Sequence, residues 1–173
     1  MQEVPTTPHP EPGLWLVDPS KSTIEFRTRN FIGMKVEGRF TDVDGAVEVA
    51  DAADESSIRV SIPVNGVDSG SRMRDRDLLK KSVFHADQWP HIRFESTDIR
   101  AASHGQFTIT GTLRVRDRTR TVEVTAGESQ SAPGEHHYTA TSRVNPREFG
   151  ITHPFIRRDV EIAIDVWLER ADG

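Results

Sequence analysis

Long stretches of this chain alternate apolar and polar residues, and this pattern constrains the fold more than any other feature. Every even position from Val160 to Leu168 is apolar, and the odd positions from Phe107 to Val115 carry apolar residues or glycine. Successive side chains of a strand point to opposite faces, so a period of two is typical of strands with one buried face. Shorter stretches with the same period lie at 23–27, 34–40, 43–49, 58–64, 92–95, 122–124 and 138–144. The chain is therefore predicted to be all-β, with about nine strands.

The composition supports strands and excludes several kinds of site. The chain has 16 Val and 11 Ile but only 6 Leu, and β-branched side chains favour strands over helices. Its net charge of -5 argues against binding to the phosphate backbone of nucleic acids, so no nucleic-acid partner is expected. Because the chain has no cysteine, it has no disulfide, no thiolate nucleophile and no cysteine-based metal site.

One segment breaks the alternation. Residues 69–89 have no period of two, contain Leu78 and Leu79, and include Ser71 as a favourable N-cap residue. We expect one short helix there. The other connections are hairpin-like, for example at Asp117-Arg118, so consecutive strands are expected to be antiparallel neighbours.

The length of the strands favours a closed barrel over a two-sheet sandwich. The stretches 107–115 and 160–168 each span nine residues, more than the usual five or six. Gly38, Gly45 and Gly111 lie inside strands, where sharp coiling needs glycine. A barrel of about eight strands is either filled by its own side chains or holds one small ligand. Both outcomes are compatible with the alternation.

The two ends of the chain differ from its body. Residues 1–13 contain four prolines and are predicted to be a flexible tail, residues 14–170 a single domain, and residues 171–173 a C-terminal tail. The start lacks the basic region and long apolar stretch of a secretory signal, and no window has the roughly 18 apolar residues of a membrane span. We expect a cytoplasmic protein, or a periplasmic or secreted one if a leader had been removed.

Four motifs, in order along the chain, carry a resemblance to a known family. The first is Trp15, Asp18, Ser22 and Phe26, followed by Gly38 and Phe40. The second is RDRDLLKKSVFHADQWPHIRFES, with its Arg74-Asp75 pair. The third and fourth are GTLRVRDRTRTVEV and VNPREFGI. Together they resemble the YceI-like family of polyisoprenoid-binding proteins over residues 15 to about 168.

The resemblance implies an antiparallel lipocalin-like β-barrel with a helix near its mouth. It also implies a binding protein, not an enzyme, which holds a long isoprenoid lipid such as a polyprenyl or quinone-type chain and requires no cofactor. Burying a chain of about 25 carbons offers about 20 kcal/mol gross, at about 0.8 kcal/mol per methylene. The alternative is a dry barrel that acts through its outer surface as a protein-interaction module. A homodimer and a transient contact with a membrane surface are the expected further partners.

The polar end of the ligand is not carried over from the family. Family members commonly have histidine where this chain has Lys21, Asn30 and Asp77. A phenylalanine pair of the family is replaced by Val83 and Phe84. Only the apolar lining is therefore transferred to this chain.

Strand parity and the resemblance together give the candidate ligand-binding residues. Six inward-pointing residues should line the interior: Phe26, Phe40, Ile62, Phe94, Ile109 and Leu113. Three more should close the mouth: Leu79, Phe84 and Trp89. Phe149 is expected to line the interior or to pack beneath a loop, and Phe155 is placed in the loop before the last strand. For each, an ordinary core contact is the competing interpretation.

Other side chains suggest weaker hypotheses. Trp167 has the opposite parity to Ile164 and Val166, so it should point outward and pack against Trp15 or a second subunit. The group His85, Asp87 and His91 lacks a recognised metal-site spacing, so no metal site is predicted.

For two further sets of polar residues, the sequence predicts the face of the strand on which each side chain lies. Adjacent His136 and His137 should point to opposite faces and are expected at the surface. The arginines of one hairpin, at 114, 116, 118 and 120, are expected to form a basic ridge on one face. Such a ridge is either a solvated surface or a contact for anionic headgroups.

Overall fold

The computed structural model describes residues 9–30, 32–152 and 159–171. These residues form eleven strands, one α-helix and four short 3-10 turns. The strands are β1 (Gly13–Val17), β2 (Thr23–Arg29), β3 (Lys35–Phe40), β4 (Asp44–Val49), β5 (Ser57–Pro63), β6 (Val67–Asp68), β7 (His91–Ala101), β8 (Gln106–Val115), β9 (Arg118–Ala132), β10 (Glu135–Val144) and β11 (Val160–Arg170). The helix is α1 (Arg72–Leu79).

The eleven strands form a closed barrel with eight positions around its circumference. Each position is one strand or two strands in line, and we call it a stave. β1 and β2 both pair with β11, and they pair in turn with β4 and β3, so β1 continues into β2 and β3 into β4. β5 and β6 likewise pair with β4 and β3 and make one stave. Every pairing is antiparallel, and β11 closes the ring between β10 and the first stave. The predicted antiparallel barrel of about eight strands with one short helix is confirmed, and the sandwich is excluded.

A buried serine helps to keep β11 hydrogen-bonded where the first stave is interrupted between β1 and β2. Between β1 and β2, the backbone N–H of Asp18 donates to the carbonyl of Trp167, at 2.8 Å. The Oγ of Ser22, which is 1% exposed, accepts from the backbone N–H of Trp167 at 3.0 Å. The backbone of β11 therefore stays hydrogen-bonded across the break.

The barrel has two ends that differ in what covers them. The helix end, as we call it, contains the β2–β3 hairpin, α1 with its flanks, the β8–β9 turn and the segment before β11. Its described residues are 29–30, 32–35, 68–91, 114–120, 143–152 and 159–160. The tail end contains the other three connections and both described chain ends. Its residues are 9–15, 48–57, 100–107, 127–136 and 168–171.

The helix is fixed to the barrel by its first turn. As predicted, Ser71 is the N-cap, and its Oγ accepts from the backbone N–H of Arg74 at 3.3 Å. Asp75 accepts two hydrogen bonds from Ser69, from the backbone N–H at 2.8 Å and from Oγ at 2.6 Å. Leu78, 1% exposed, points into the barrel from the last turn.

The β8–β9 turn lies one residue earlier than predicted, and the basic ridge does not form. Val115 pairs with Arg118, so the turn consists of Arg116 and Asp117. Residues opposite each other on antiparallel strands share a face. Arg120, opposite inward-facing Leu113, therefore lies on the inner side of the sheet, whereas Arg114 lies on the outer side. The expectation of one face was wrong because the parity was counted through the turn.

Residues that precede β1 contact the tail end. Residues 1–13 are predicted to be a tail, and the structure describes this segment from His9 onward. Pro10 is buried, the indole N–H of Trp15 donates to the carbonyl of Glu11 at 2.8 Å, and Arg170 pairs with the Glu11 carboxylate at 2.8 Å. This part of the chain thus lies across the tail end.

Candidate functional site

The interior of the barrel is hollow. A cavity of about 310 Å³ is lined by inward-facing side chains of nearly every stave, and we call it the barrel cavity. Its wall runs from Pro10 and Ala53 at the tail end to Thr28 and Val144 at the helix end. Almost all of the wall is aliphatic or aromatic. The volume lies at the lower end of the range of about 300–1,000 Å³ that is typical of ligand sites.

Small residues at inward positions explain why the interior is not filled. Five inward-facing positions have no side chain or only a methyl group: Gly38, Gly45, Gly111, Ala126 and Ala140. An eight-stranded barrel filled by larger residues at these positions would be just packed. The interior is therefore not filled by the chain's own side chains.

Two phenylalanine rings occupy the space that glycines leave open. A Cβ atom added to Gly38 would lie 2.4 Å from Cζ of Phe26 on the neighbouring strand. The same pairing recurs across the barrel, where a Cβ on Gly111 would lie 2.5 Å from Cζ of Phe94. Each ring thus lies against the wall instead of projecting into the barrel cavity. These glycines are needed for the close approach of a ring.

The structure brings eight of the eleven predicted site residues to the cavity wall. Those eight are Phe26, Phe40, Ile62, Phe84, Phe94, Ile109, Leu113 and Phe149. Phe84 packs against Phe40 with 5.8 Å between ring centroids, beneath the helix. Phe155 lies outside the described residues. Contact of these residues with a ligand stays a prediction.

Leu79 and Trp89 do not line the barrel cavity, contrary to expectation. Leu79 follows Leu78 on α1, and a helix turns about 100° per residue, so only Leu78 of the pair points inside. Leu79 packs on the core from outside the cavity. Trp89 lies against the outer face of β8, where the Arg114 guanidinium is 5.0 Å from the ring centroid.

A polar cluster closes the interior at the tail end. The Tyr138 hydroxyl donates to Oε2 of Glu128 at 3.0 Å, and Nδ1 of His136 lies 3.3 Å from Oε1 of the same carboxylate. The Trp15 and His136 rings pack nearly perpendicular to each other, at a centroid distance of 4.9 Å. Burial raises the pKa of Tyr138, and the charge of Glu128 raises this pKa further. The hydroxyl is therefore held in its protonated form, as a hydrogen-bond donor.

Sequence reasoning missed this cluster. Glu128 has the same parity on β9 as inward-facing Val124 and Ala126, and it lies opposite inward-facing Tyr138. Because the apolar alternation covers only 122–124, the sequence pattern did not indicate that the strand continues to Glu128. The expectation that both histidines lie at the surface was wrong, although they do point to opposite faces. The side chain of His136 is 15% exposed on the inner side, and that of His137 is 12% exposed on the outer side.

Trp167 points outward, as predicted, but its partner is not Trp15. Its ring stacks on His137 with 4.2 Å between centroids and an interplanar angle of 8°. His137 Nε2 in turn lies 2.6 Å from Oδ1 of Asp165. Trp15 has inward parity on β1 and is 1% exposed. The two tryptophans therefore lie on opposite faces of the barrel wall.

The described residues also lack a metal-binding cluster and a helix that could cross a membrane. Within the described ranges, no group of three or more His, Asp or Glu side chains is arranged to hold a metal ion. In the same part of the chain, α1 and the short 3-10 turns are too short and too polar to cross a bilayer as a helix.

The barrel resembles known proteins in both sequence and structure. The model of a family described as the YceI-like domain matches residues 15–168. A UPF0312 protein of Shewanella denitrificans is 26% identical over 155 residues, which cover 86% of this chain and 81% of the relative. The crystal structure of Burkholderia cenocepacia BcnA superposes with a TM-score of 0.79 at 22% identity, covering 87% of this chain and 98% of BcnA. A polyisoprenoid binding domain from Saccharophagus degradans, implicated in plant cell wall breakdown, superposes with a TM-score of 0.72 at 11% identity, covering 90% of this chain and 98% of that domain.

Proposed function

The chain belongs to the YceI-like domain family, and from that premise we propose that it binds a long-chain lipid of the polyisoprenoid type inside the barrel cavity. The observation that carries the proposal is the apolar wall, which continues along the whole barrel. On β11 alone, the wall runs from Val160 to Leu168, about 26 Å at 3.3 Å per residue. A cavity of this shape suits an extended chain better than a compact ring system.

The energetics of such a site come from the chain and not from its headgroup. Each buried methylene offers about 0.8 kcal/mol, whereas an apolar wall forms no hydrogen bonds that would select a polar end. Lost translational freedom and ordering of the chain offset part of this gain. We therefore propose a carrier or sequestering protein, which discriminates by the length and girth of the ligand.

The structural neighbour from Saccharophagus degradans is named as a polyisoprenoid binding domain, and it has the same fold. That name supports the ligand class proposed here. A quinone-type lipid fits equally well, because its isoprenoid tail would make the same contacts. The wall formed by the described residues is almost entirely apolar, and this supports binding of an apolar ligand as the function proposed here.

An anionic headgroup would be placed at the helix end. At the tail end the Glu128 carboxylate faces inward and would repel a phosphate. At the helix end Arg118 and Arg120 lie on the inner side of the sheet and are exposed. The two ends of the cavity thus differ in the charge that a ligand would meet.

The direct test is to identify what the protein carries. Protein purified without detergent is extracted with organic solvent, and the extract is analysed by mass spectrometry. In parallel, thermal unfolding is followed with added prenols of several lengths. We expect an apolar chain in the extract and a rise in melting temperature with prenols. An empty extract together with unchanged melting would overturn the proposal.

A matched pair of variants tests whether the ligand lies in the barrel cavity. Phe84→Ala removes a ring from the cavity wall, whereas Trp89→Ala removes a ring from the outer surface of the same end. We expect Phe84→Ala to retain less lipid than the parent and Trp89→Ala to retain the same amount. Equal loss in both variants would place the lipid outside the barrel.

A further inference from the structure

The charges of the barrel are separated between its two ends. The described residues of the helix end include thirteen Lys and Arg against seven Asp and Glu, whereas the tail end has two against eight. The net charge is thus about +6 at one end and -6 at the other, in a chain whose total is -5. The separation follows from topology, because alternate connections of an antiparallel barrel lie at opposite ends. An anionic surface would orient this molecule with its helix end forward.

The most exposed large apolar side chains also lie at the helix end. Ile32 and Met34 in the β2–β3 hairpin are 63% and 59% exposed, and Met73 on α1 is 76% exposed. The hairpin and the helix are neighbours in the ring, because β3 pairs with β6 and β6 leads into α1. These three side chains lie at the end of the barrel where Lys and Arg outnumber Asp and Glu.

The local charges around the apolar side chains are basic and exposed. On α1, Arg72 and Arg76 are exposed on the same stretch as Met73. The two acidic residues of α1 are engaged with neighbours, since Asp75 accepts from Ser69 and Asp77 pairs with Lys80 at 2.7 Å. Lys35 and Arg29 flank the hairpin tip. Apolar residues within a cationic surface are the composition that binds the interface of an anionic bilayer.

We propose that the helix end docks on the surface of an anionic lipid bilayer. Ile32, Met34 and Met73 enter the interfacial region, and the surrounding Lys and Arg side chains lie near the lipid phosphates. In this orientation the helix end of the barrel faces the membrane, and the acidic tail end points away. The inference goes beyond the proposed lipid binding, because docking is a property of the outer surface and does not require an occupied cavity.

The test uses the intact protein and flotation with vesicles of two compositions, phosphatidylcholine alone and phosphatidylcholine with phosphatidylglycerol. We expect the protein to float with the anionic vesicles, to bind the neutral vesicles much more weakly, and to lose binding as salt is raised. Failure to float with the anionic vesicles at low salt would overturn the proposal, as would equal and salt-independent binding to both compositions.

Two matched pairs of variants assign the binding to the helix end. The triple variant Ile32→Ser, Met34→Ser, Met73→Ser is compared with Leu14→Ser, Leu16→Ser, which removes the exposed leucines of β1 at the tail end, 41% and 38% exposed. Arg72→Gln, Arg76→Gln is compared with Arg59→Gln, Arg93→Gln on the outer barrel wall. We expect Arg72→Gln, Arg76→Gln to weaken binding at least tenfold, given about fivefold per neutralised cation. The triple variant should weaken binding by at least a similar factor, because three side chains lose their apolar burial in the interface. Controls that weaken binding as much as the helix-end variants would overturn the assignment.

All substituted side chains are exposed, so the variants are expected to melt at nearly the parental temperature. Prenol uptake by each variant is measured in the absence of vesicles. Lost flotation with retained prenol uptake supports docking as a separate function of the helix end. Retained flotation in the helix-end variants contradicts docking and leaves the proposed lipid binding intact.

Discussion

Two glycine–phenylalanine pairs set the width of the barrel cavity at the level of single residues. Phe26 lies over Gly38 and Phe94 over Gly111, each ring on the strand next to its glycine. A ring that lies on the wall contributes apolar surface without blocking the lumen. The cavity therefore depends on the absence of two β-carbons as much as on the presence of the rings.

The first prediction concerns Gly38→Ala. The new methyl group would meet the Phe26 ring at 2.4 Å, so the ring must swing toward the lumen. We expect a loss of about 1–3 kcal/mol in the free energy of unfolding, the usual cost of overpacking, and reduced prenol uptake. Chemical denaturation and prenol titration measure the two effects.

Gly127→Ala is the control for this variant, because its added Cβ would meet only Cγ of Gln106, at 3.6 Å. The double variant Gly38→Ala, Phe26→Leu should recover stability relative to Gly38→Ala alone, since the clashing ring is gone. If Gly38→Ala behaved like Gly127→Ala in both measurements, the wall would be more yielding than the structure indicates.

The second prediction uses Tyr138, which is the chain's single tyrosine. Its pKa in the folded protein is raised by burial and by the charge of Glu128, whereas in the unfolded chain it is about 10. Above about pH 10 the unfolded state therefore releases a proton that the folded state keeps. The free energy of unfolding should fall with rising pH by up to about 1.4 kcal/mol per pH unit.

Tyr138→Phe isolates this contribution from that of the lysines. The variant loses the hydrogen bond to Glu128 at 3.0 Å, so it should be less stable at neutral pH, by about 1.5–3 kcal/mol. Its stability should then fall less steeply than that of the parent above about pH 10. Parallel curves for parent and variant would contradict an elevated pKa, as would a tyrosinate absorbance that rises before unfolding.

At the scale of elements, the face of an apolar residue within one strand was readable from the sequence, whereas the face across a turn and the full length of a strand were not. The alternation at 160–168 placed Ile164 inside and Trp167 outside correctly. The prediction of an arginine ridge failed because parity was counted through the two-residue β8–β9 turn: Arg114 and Arg120 both have even numbers, yet they lie on opposite faces. Glu128 was missed because β9 continues to Ala132, well beyond the apolar stretch 122–124 that marks it in the sequence. A hydrophobic pattern encodes neither the change of face at a turn nor the polar continuation of a strand.

The attachment of α1 yields the third prediction. Asp75 joins the helix to the preceding connection through two hydrogen bonds from Ser69, and it also lies in the first turn, where the helix dipole favours a negative charge. Asp75→Ala should cost about 1–3 kcal/mol and loosen the element that carries Leu78. We expect faster hydrogen exchange in α1 and faster release of bound lipid.

Asp87→Ala is the comparison for this prediction, since Asp87 is an exposed acid in the same connection. It should leave both the hydrogen exchange of α1 and lipid release at the parental rate. Faster exchange in α1 with unchanged lipid release would mean that the helix does not gate the barrel cavity.

For the whole molecule, the closed barrel was predictable, but the size of its cavity was not. Long alternating strands and hairpin-like connections favour closure on local grounds. Whether the interior is filled depends on the summed volume of side chains from all eight staves. That sum requires the register that brings Ala126 opposite Ala140 and Gly38 opposite Phe26. Gly and Ala at inward positions were the only sequence sign of a hollow interior, and they indicate a cavity only once it is known which residues lie opposite one another in the barrel.

The last prediction concerns the length of lipid chain that the barrel cavity can hold. Affinity for prenols should rise with chain length, by about 0.8 kcal/mol or fourfold per buried methylene, until the cavity is filled, and then level off. Ala140, midway along β10, faces the lumen. Ala140→Leu adds volume at that level, so affinity should level off at a shorter chain. Stability should be equal or higher, because the new side chain fills empty space.

Calorimetric titration of a prenol series against Ala140→Leu and Ala163→Leu measures this effect. Ala163 lies on the neighbouring strand β11 with outward parity, beside inward Ile164, so its variant adds the same volume outside the lumen. The control should level off at the parental length. If both variants level off with the parent, the chain does not pass Ala140, and the lipid occupies only one end of the barrel cavity. If affinity does not change with length in any of the three proteins, the ligand is not held by its chain.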